Sequence, residues 1–214
     1  MTFPLDRFVQ LTESLEGRTD WMYLDVKGLV TIGYGNLIDP LSLAHGLVFA
    51  RPDGTVATAS EVSAEWLRVK NRRDMAAGGG GAFAHITSLR ATAASIEALV
   101  NAKVEQFETS LRGTFPAWDD WPDDCQIAAM SMRWAMGDRD TEYPHWVQAC
   151  RDEDWAEASR QCHMSEAGQN DSFRERNAAN KELFARAGRE AVTRPEIVGA
   201  TCESSDGTPS RSEG

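Results

Sequence analysis

The chain has 214 residues, 22 basic and 33 acidic, for a net charge of −11 at pH 7. That balance argues against nucleic acid, whose affinity comes from neutralising phosphates with Lys and Arg, and against spontaneous adsorption to anionic membranes. A hydrophobic content of 42% supports a sizeable core in one domain or two closely packed lobes, and no apolar run reaches the length of a membrane span.

Met1 to Gln10 lacks the basic and apolar regions of a signal peptide, so no cleaved leader is expected. Residues 3–16 read as a first helix, with Thr2 and Pro4 suited to its start. Phe8, Leu11, Thr12 and Leu15 form one face, and Gly17 sits where a helix-ending glycine belongs. After Gly17 the period changes to alternation: Trp21 and Tyr23, then Val30, Ile32 and Tyr34, with Val26-Lys27-Gly28 as a turn. Residues 20–37 are therefore expected as a hairpin. Three residues able to do hydrolytic chemistry fall here: Glu16 at the helix end, Asp25 near the turn, and Thr31 on the return strand. A carboxylate at a helix C-terminus meets the negative end of the macrodipole, which disfavours its charge; one in a solvated turn stays ionised. The pair is split in the direction acid–base cleavage of a glycosidic bond requires.

Residues 45–55 read as an irregular connection with a turn at Arg51-Pro-Asp-Gly54. Neither His45 nor any of the other three histidines has a partner at metal-ligand spacing, so no metal and no cofactor are expected. Thr58 and Glu61 form a capping box opening a helix with Val62, Trp66 and Val69 on one face. Arg68, Lys70, Arg72 and Arg73 make the one dense basic run, read as a solvated face or a contact for acidic peptides. Gly78–Gly81 reads as a flexible loop. A long helix is expected from Ile86 to Leu111, with Ile96, Leu99, Val100, Val104, Phe107 and Leu111 in one stripe and Glu97, Lys103, Glu105 and Glu108 opposite.

Trp118 and Trp121, in an aromatic connection from Phe115 to Pro122, are read first as staples between helices, and otherwise as platforms for sugar rings. Asp123 to Met136, with little charged surface before Arg133, has the composition of a helix through the middle of a bundle. Short helices follow at 145–151 and 154–164. Ser172 and Glu175 form a second capping box, opening a last helix to about Ala187 with Phe173, Leu183 and Phe184 inward. The pattern fades near residue 190, and 191–214 reads as a disordered tail. The four cysteines, Cys125, Cys150, Cys162 and Cys202, show no paired spacing and are expected reduced, a Cys150–Cys162 bridge being the alternative.

The run Glu16, eight residues, Asp25, five residues, Thr31, continuing into Thr31-Ile-Gly-Tyr-Gly35, resembles the signature of the phage-type lysozymes, muramidases that cut peptidoglycan. The resemblance is close over residues 3–38 and looser over 122–187. Asn36 departs from the histidine that many members carry. The resemblance implies an α+β, predominantly helical, lysozyme-like fold over residues 1–190. A small helix-plus-hairpin lobe (about 16–57) would face a larger helical lobe (about 58–190 plus the first helix). It implies Glu16 as general acid, Asp25 and Thr31 holding the attacking water, and Gly35 and Leu37 touching the sugar. An arginine of the last helix, Arg176 before Arg174, would pair with the acid. The expected reaction is inverting hydrolysis of the β-1,4 bond between N-acetylmuramic acid and N-acetylglucosamine, with the carboxylates about 6.5–9.5 Å apart. The expected setting is an endolysin or an antibacterial secretion-system effector, acting in a periplasm or cell wall, the latter with a carrier and an immunity protein as partners. A lytic transglycosylase, a non-catalytic peptidoglycan-binding protein and a chitinase-like enzyme are the alternatives.

Overall fold

A computed structural model describes residues 2–164 and 171–193. It is an α+β structure, mostly helical, with two small antiparallel sheets. The first helix, α1 (Leu5–Glu16), starts after Pro4 and buries Phe8 and Thr12. It stops at Gly17, whose φ of +68° few other residues adopt and whose N–H closes on Glu13 O at 2.9 Å. Glu16 is thereby the last helical residue.

The first sheet joins β1 (Thr19–Leu24), β2 (Val30–Gly33) and β3 (Asn36–Leu37) in that order, all antiparallel. Asp25 builds the β1–β2 turn: its Oδ1 accepts from Lys27 N at 2.9 Å and Leu29 N at 2.8 Å. The tight β2–β3 turn uses Gly35 at φ +77°, and Asn36 Oδ1 accepts from Tyr34 N at 3.2 Å.

A short helix, α2 (Leu41–Ala44), precedes the stretch expected as irregular, and that stretch itself holds β4 (Phe49–Ala50). Next, α3 (Ala59–Lys70) begins with the expected capping box between Thr58 and Glu61 and buries Val62, Trp66 and Val69. It is tied to the hairpin by Trp66 Nε1, which donates to Ile38 O at 2.9 Å, and by Lys70, which donates to Gly28 O at 2.9 Å and pairs with Asp39. The basic run is thus not simply a solvated face, since Lys70 is committed to the sheet.

The tetraglycine segment is not the expected flexible loop. A 3₁₀ turn over Arg73–Gly78 leads into α4 (Gly79–Phe83), which packs on β1. Trp21 Nε1 donates to Gly80 O at 2.8 Å, and a side chain at Gly80 would come within 3.2 Å of Thr19 Oγ1. The glycines therefore serve close approach of a backbone to a strand.

The helix expected from Ile86 starts later. Residues 86–92 instead supply β5 (Arg90–Ala91), paired with β4, and the cap Thr92, whose side chain accepts from Ser95 N. Buried Glu65 holds this connection by accepting from Ser88 N and Leu89 N, each at 2.9 Å. The helix proper, α5 (Ala93–Thr114), buries Ile96, Val100, Val104, Phe107 and Leu111 as expected.

The next helix, α6 (Asp123–Met136), is buried along nearly its whole length. It packs against α1, α5 and the last helix. Two short helices, α7 (Pro144–Arg151) and α8 (Trp155–Gln161), precede α9 (Asp171–Thr193), which runs past Ala187. Phe184 is fully buried, while Phe173 and Leu183 are partly so. At the base, Asp124 on α6 pairs with both Arg7 on α1 and Arg186 on α9, so its role exceeds the helix-dipole complement expected of it. Trp118 and Trp121 are buried, so they are staples and not exposed platforms. Trp121 packs at tilted and edge-on angles against Phe115 at 4.8 Å, Trp118 at 5.4 Å and Trp155 at 5.0 Å between ring centres. Cys125, Cys150 and Cys162 are free and buried. Cys202 and residues 194–214 lie outside the described residues.

Candidate active site

Glu16 projects from the end of α1 towards the β2–β3 turn. A Cβ at Gly35 would lie 3.1 Å from Glu16 Oε2, so the backbone there passes directly over the carboxylate. From the opposite side Arg176 of α9 pairs with Glu16 through Nη2. The same guanidinium donates through Nη1 to Ser131 Oγ at 2.9 Å and Ser131 O at 3.3 Å, which fixes its plane on α6. Arg176 is buried, while 26% of the Glu16 side chain remains open. The arginine expected to hold the acid does so.

Burial raises the proton affinity of Glu16 above the ordinary carboxylate value. Arg176, then Lys103, then the Trp134 indole N–H oppose that effect without cancelling it. The direction is the one read from the sequence, but desolvation is the leading cause, where the sequence offered the helix dipole. The carboxyl stays partly accessible and holds its proton more strongly than an ordinary carboxyl, a direction that suits a general acid.

The second group of residues lies on the hairpin. Tyr23, Thr31 and Leu37 are directly paired across the three strands, which puts their side chains in one row on one face of the sheet. Tyr23 links the two carboxylates electrically. Its phenol is pushed up to about 12, first by burial and then by the charges of Glu16 and Asp25. Leu37, at the end of the row, is 46% exposed and offers an apolar surface. Thr31 is buried, and its hydroxyl donates to Leu29 O at 3.1 Å, leaving its lone pairs to accept. Asp25 uses Oδ1 for the turn, and among the described residues Oδ2 has no hydrogen bond.

Three residues around Glu16 were not identified from the sequence: Lys103, Trp134 and Tyr23. Lys103 is half-buried, with Nζ 3.7 Å from the centre of the Trp134 ring and 5.5 Å from that of Phe107. Trp134 Nε1 donates to Tyr34 O at 3.2 Å as well as leaning on Glu16. The sequence sets Lys103 opposite the buried stripe, but the structure half-buries it against Phe107 and Trp134.

A separate groove of about 530 Å³ lies along α1 and α5, lined by Val9, Glu13, Arg18, Tyr34 and Val100 among others. Glu16, Asp25 and Thr31 do not line it. Among the described residues no cluster of His, Cys, Asp or Glu could hold a metal ion, and no helix is long and apolar enough to cross a membrane. Compared with known proteins, the chain matches no family model and no curated sequence.

Proposed function

We propose that this chain is a muramidase with a lysozyme-like arrangement of a hairpin lobe against a helical lobe. In this reading it hydrolyses the β-1,4 bond between N-acetylmuramic acid and N-acetylglucosamine. The observation that carries it is the environment of Glu16: a helix-terminal carboxyl, raised by burial and clamped by Arg176, facing a hairpin that carries Asp25 and Thr31. Glu16 donates its proton to the leaving glycosidic oxygen. A water donating to Asp25 Oδ2 and to Thr31 Oγ1 attacks the anomeric carbon from the other face, gives up its proton to Asp25 as the new C–O bond forms, and inverts the centre. Gly35 leaves room for a sugar beside the acid, and Leu37 packs on it.

The negative net charge gives the enzyme no electrostatic attraction to an anionic wall. That favours delivery by other machinery, as for an injected effector with its carrier and immunity partner, over free diffusion as an endolysin.

A second reading, lytic transglycosylase, draws on a specific observation. Asp25 Oδ1 and the Thr31 hydroxyl already serve the hairpin backbone, and a transglycosylase needs the acid alone. Mass spectrometry of fragments released from purified peptidoglycan separates the two. Reducing N-acetylmuramic ends from the wild type and none from Glu16→Gln support the muramidase. Anhydro ends move the assignment to the transglycosylase. No fragments from either protein favour a binding module.

A further inference from the structure

Two cations approach one carboxylate in this site, and the proposed reaction uses only one of them. Arg176 is accounted for by its direct pair with Glu16 and its bonds to Ser131. Lys103 forms no ion pair or hydrogen bond among the described residues. Its ammonium instead lies on the Trp134 face, 3.7 Å from the ring centre. That ring belongs to the residue whose N–H leans on Glu16, and it is held edge-on to Phe8 of α1 at 5.4 Å and to Phe107 at 6.3 Å. Ser131 and Trp134 are one helical turn apart on α6, so Arg176 and Lys103 grip adjacent points of the same helix face beneath the carboxylate.

We propose that Lys103 is a positioning residue for the Glu16 acid, acting through Trp134 and the local field and not by touching substrate. The groups that bear on this cluster are Glu16 from α1, Arg176 from α9, Tyr23 from β1 and, beyond Tyr23, Asp25. Tyr23 stays neutral at working pH, so when Glu16 is ionised the inner cluster holds two positive charges against one negative.

The arrangement has a definite consequence. Left to burial alone, Glu16 would hold its proton more strongly than it does with Arg176 and Lys103 beside it. An acid catalyst works best when its affinity for the proton matches the operating pH. Lys103 draws that affinity down while it is charged. Its own proton is loosened to about 8, by desolvation first and by Arg176 after, with Glu16 pulling the other way. The two groups are therefore coupled, and loss of the Lys103 charge makes Glu16 hold its proton more strongly.

Any effect on catalysis rests on the muramidase reading; the hold of Lys103 on the Glu16 carboxyl does not. The test follows the Glu16 side-chain carboxyl directly by carbon-13 NMR titration of protein labelled at the glutamate δ carbon, with Glu16→Gln assigning the signal. Lys103→Met keeps an apolar stem over Trp134, Lys103→Gln is a second neutral variant in case the first fails to fold, and Lys103→Arg keeps the charge. The neutral variants should raise the Glu16 midpoint by at least about half a pH unit, within the range known for a neighbouring charge, and Lys103→Arg should restore it. The alkaline limit of fragment release should move up by the same amount in the same variants. A midpoint unmoved in both neutral variants overturns the proposal. A midpoint that moves in a protein releasing no fragments upholds the role of Lys103 while removing the muramidase reading.

Discussion

Arg176, in the last helix, pairs with Glu16, at the end of the first, across 160 residues of sequence. The pair closes the helical bundle on the candidate acid, so it bears on stability and chemistry together. Arg176→Ala leaves a largely buried carboxylate without its closest cation. Removing one partner of a buried pair costs about 3–5 kcal/mol, and the partial exposure of Glu16 puts this case near the lower end, about 3 kcal/mol. Arg176→Lys should recover only part of it, because an ammonium cannot serve Glu16 and Ser131 in one plane. Urea denaturation of the three proteins at neutral pH measures both effects.

Glu16 should also make stability depend on pH. Its folded proton affinity lies above the ordinary value of 4.5, so the protonated form favours the native state. That contribution is complete below 4.5 and is lost as pH rises through the folded value. Glu16→Gln cannot titrate. Its stability relative to the wild type should therefore increase over that window and stay flat on either side. Paired denaturation curves from about pH 3.5 to 7 test this, and a constant difference contradicts it. In the muramidase reading, fragment release should decline as pH rises through the folded value of Glu16, because Glu16 then loses the proton it would donate.

Gly35 is where backbone conformation and chemistry meet. Its φ is +77°, and a methyl group there would press on Glu16 Oε2. Gly35→Ala should lose about 1–2 kcal/mol of stability from the left-handed backbone. Displacing the acid should reduce fragment release by about 10²-fold. Gly54→Ala is the control: φ there is +82°, and nothing lies within 4 Å of the added carbon. It should show the backbone cost and keep its activity.

The parts of this structure that sequence revealed are those with a local cause. A glycine ended α1, a turn at Val26-Lys27-Gly28 joined β1 to β2, a capping box began α3, and an apolar stripe marked α5. The elements that stayed hidden lack such a cause. Strands of two residues, such as Phe49–Ala50 with Arg90–Ala91, are too short to show alternation, and their partners lie far apart in sequence. The tetraglycine segment has loop composition, but its helical turn exists because β1 accepts a bare backbone against Trp21 and Thr19. At the candidate site the carboxylates and hydroxyl were legible from spacing. Lys103 was not, because a lysine read on the face opposite an apolar stripe counts as surface until Trp134 is packed against it.

Trp121 distinguishes a structural aromatic from a sugar platform. It is 1% exposed and joins the connection before α6 to Trp155 of α8. Among the described residues its indole N–H has no hydrogen-bond partner, so it is held there by packing. Trp121→Ala should lose about 3–5 kcal/mol through the cavity it leaves. Trp121→Phe should lose less, since a ring still fills most of the space and an unsatisfied donor is removed. Because Trp121 touches neither Glu16 nor the hairpin row, both variants should release fragments at the wild-type rate per folded molecule, with an unchanged dependence on substrate concentration. Thermal melts and release rates taken well below the melting temperature provide the two readouts. A raised half-saturating concentration at wild-type stability would make Trp121 part of the binding surface, against its burial.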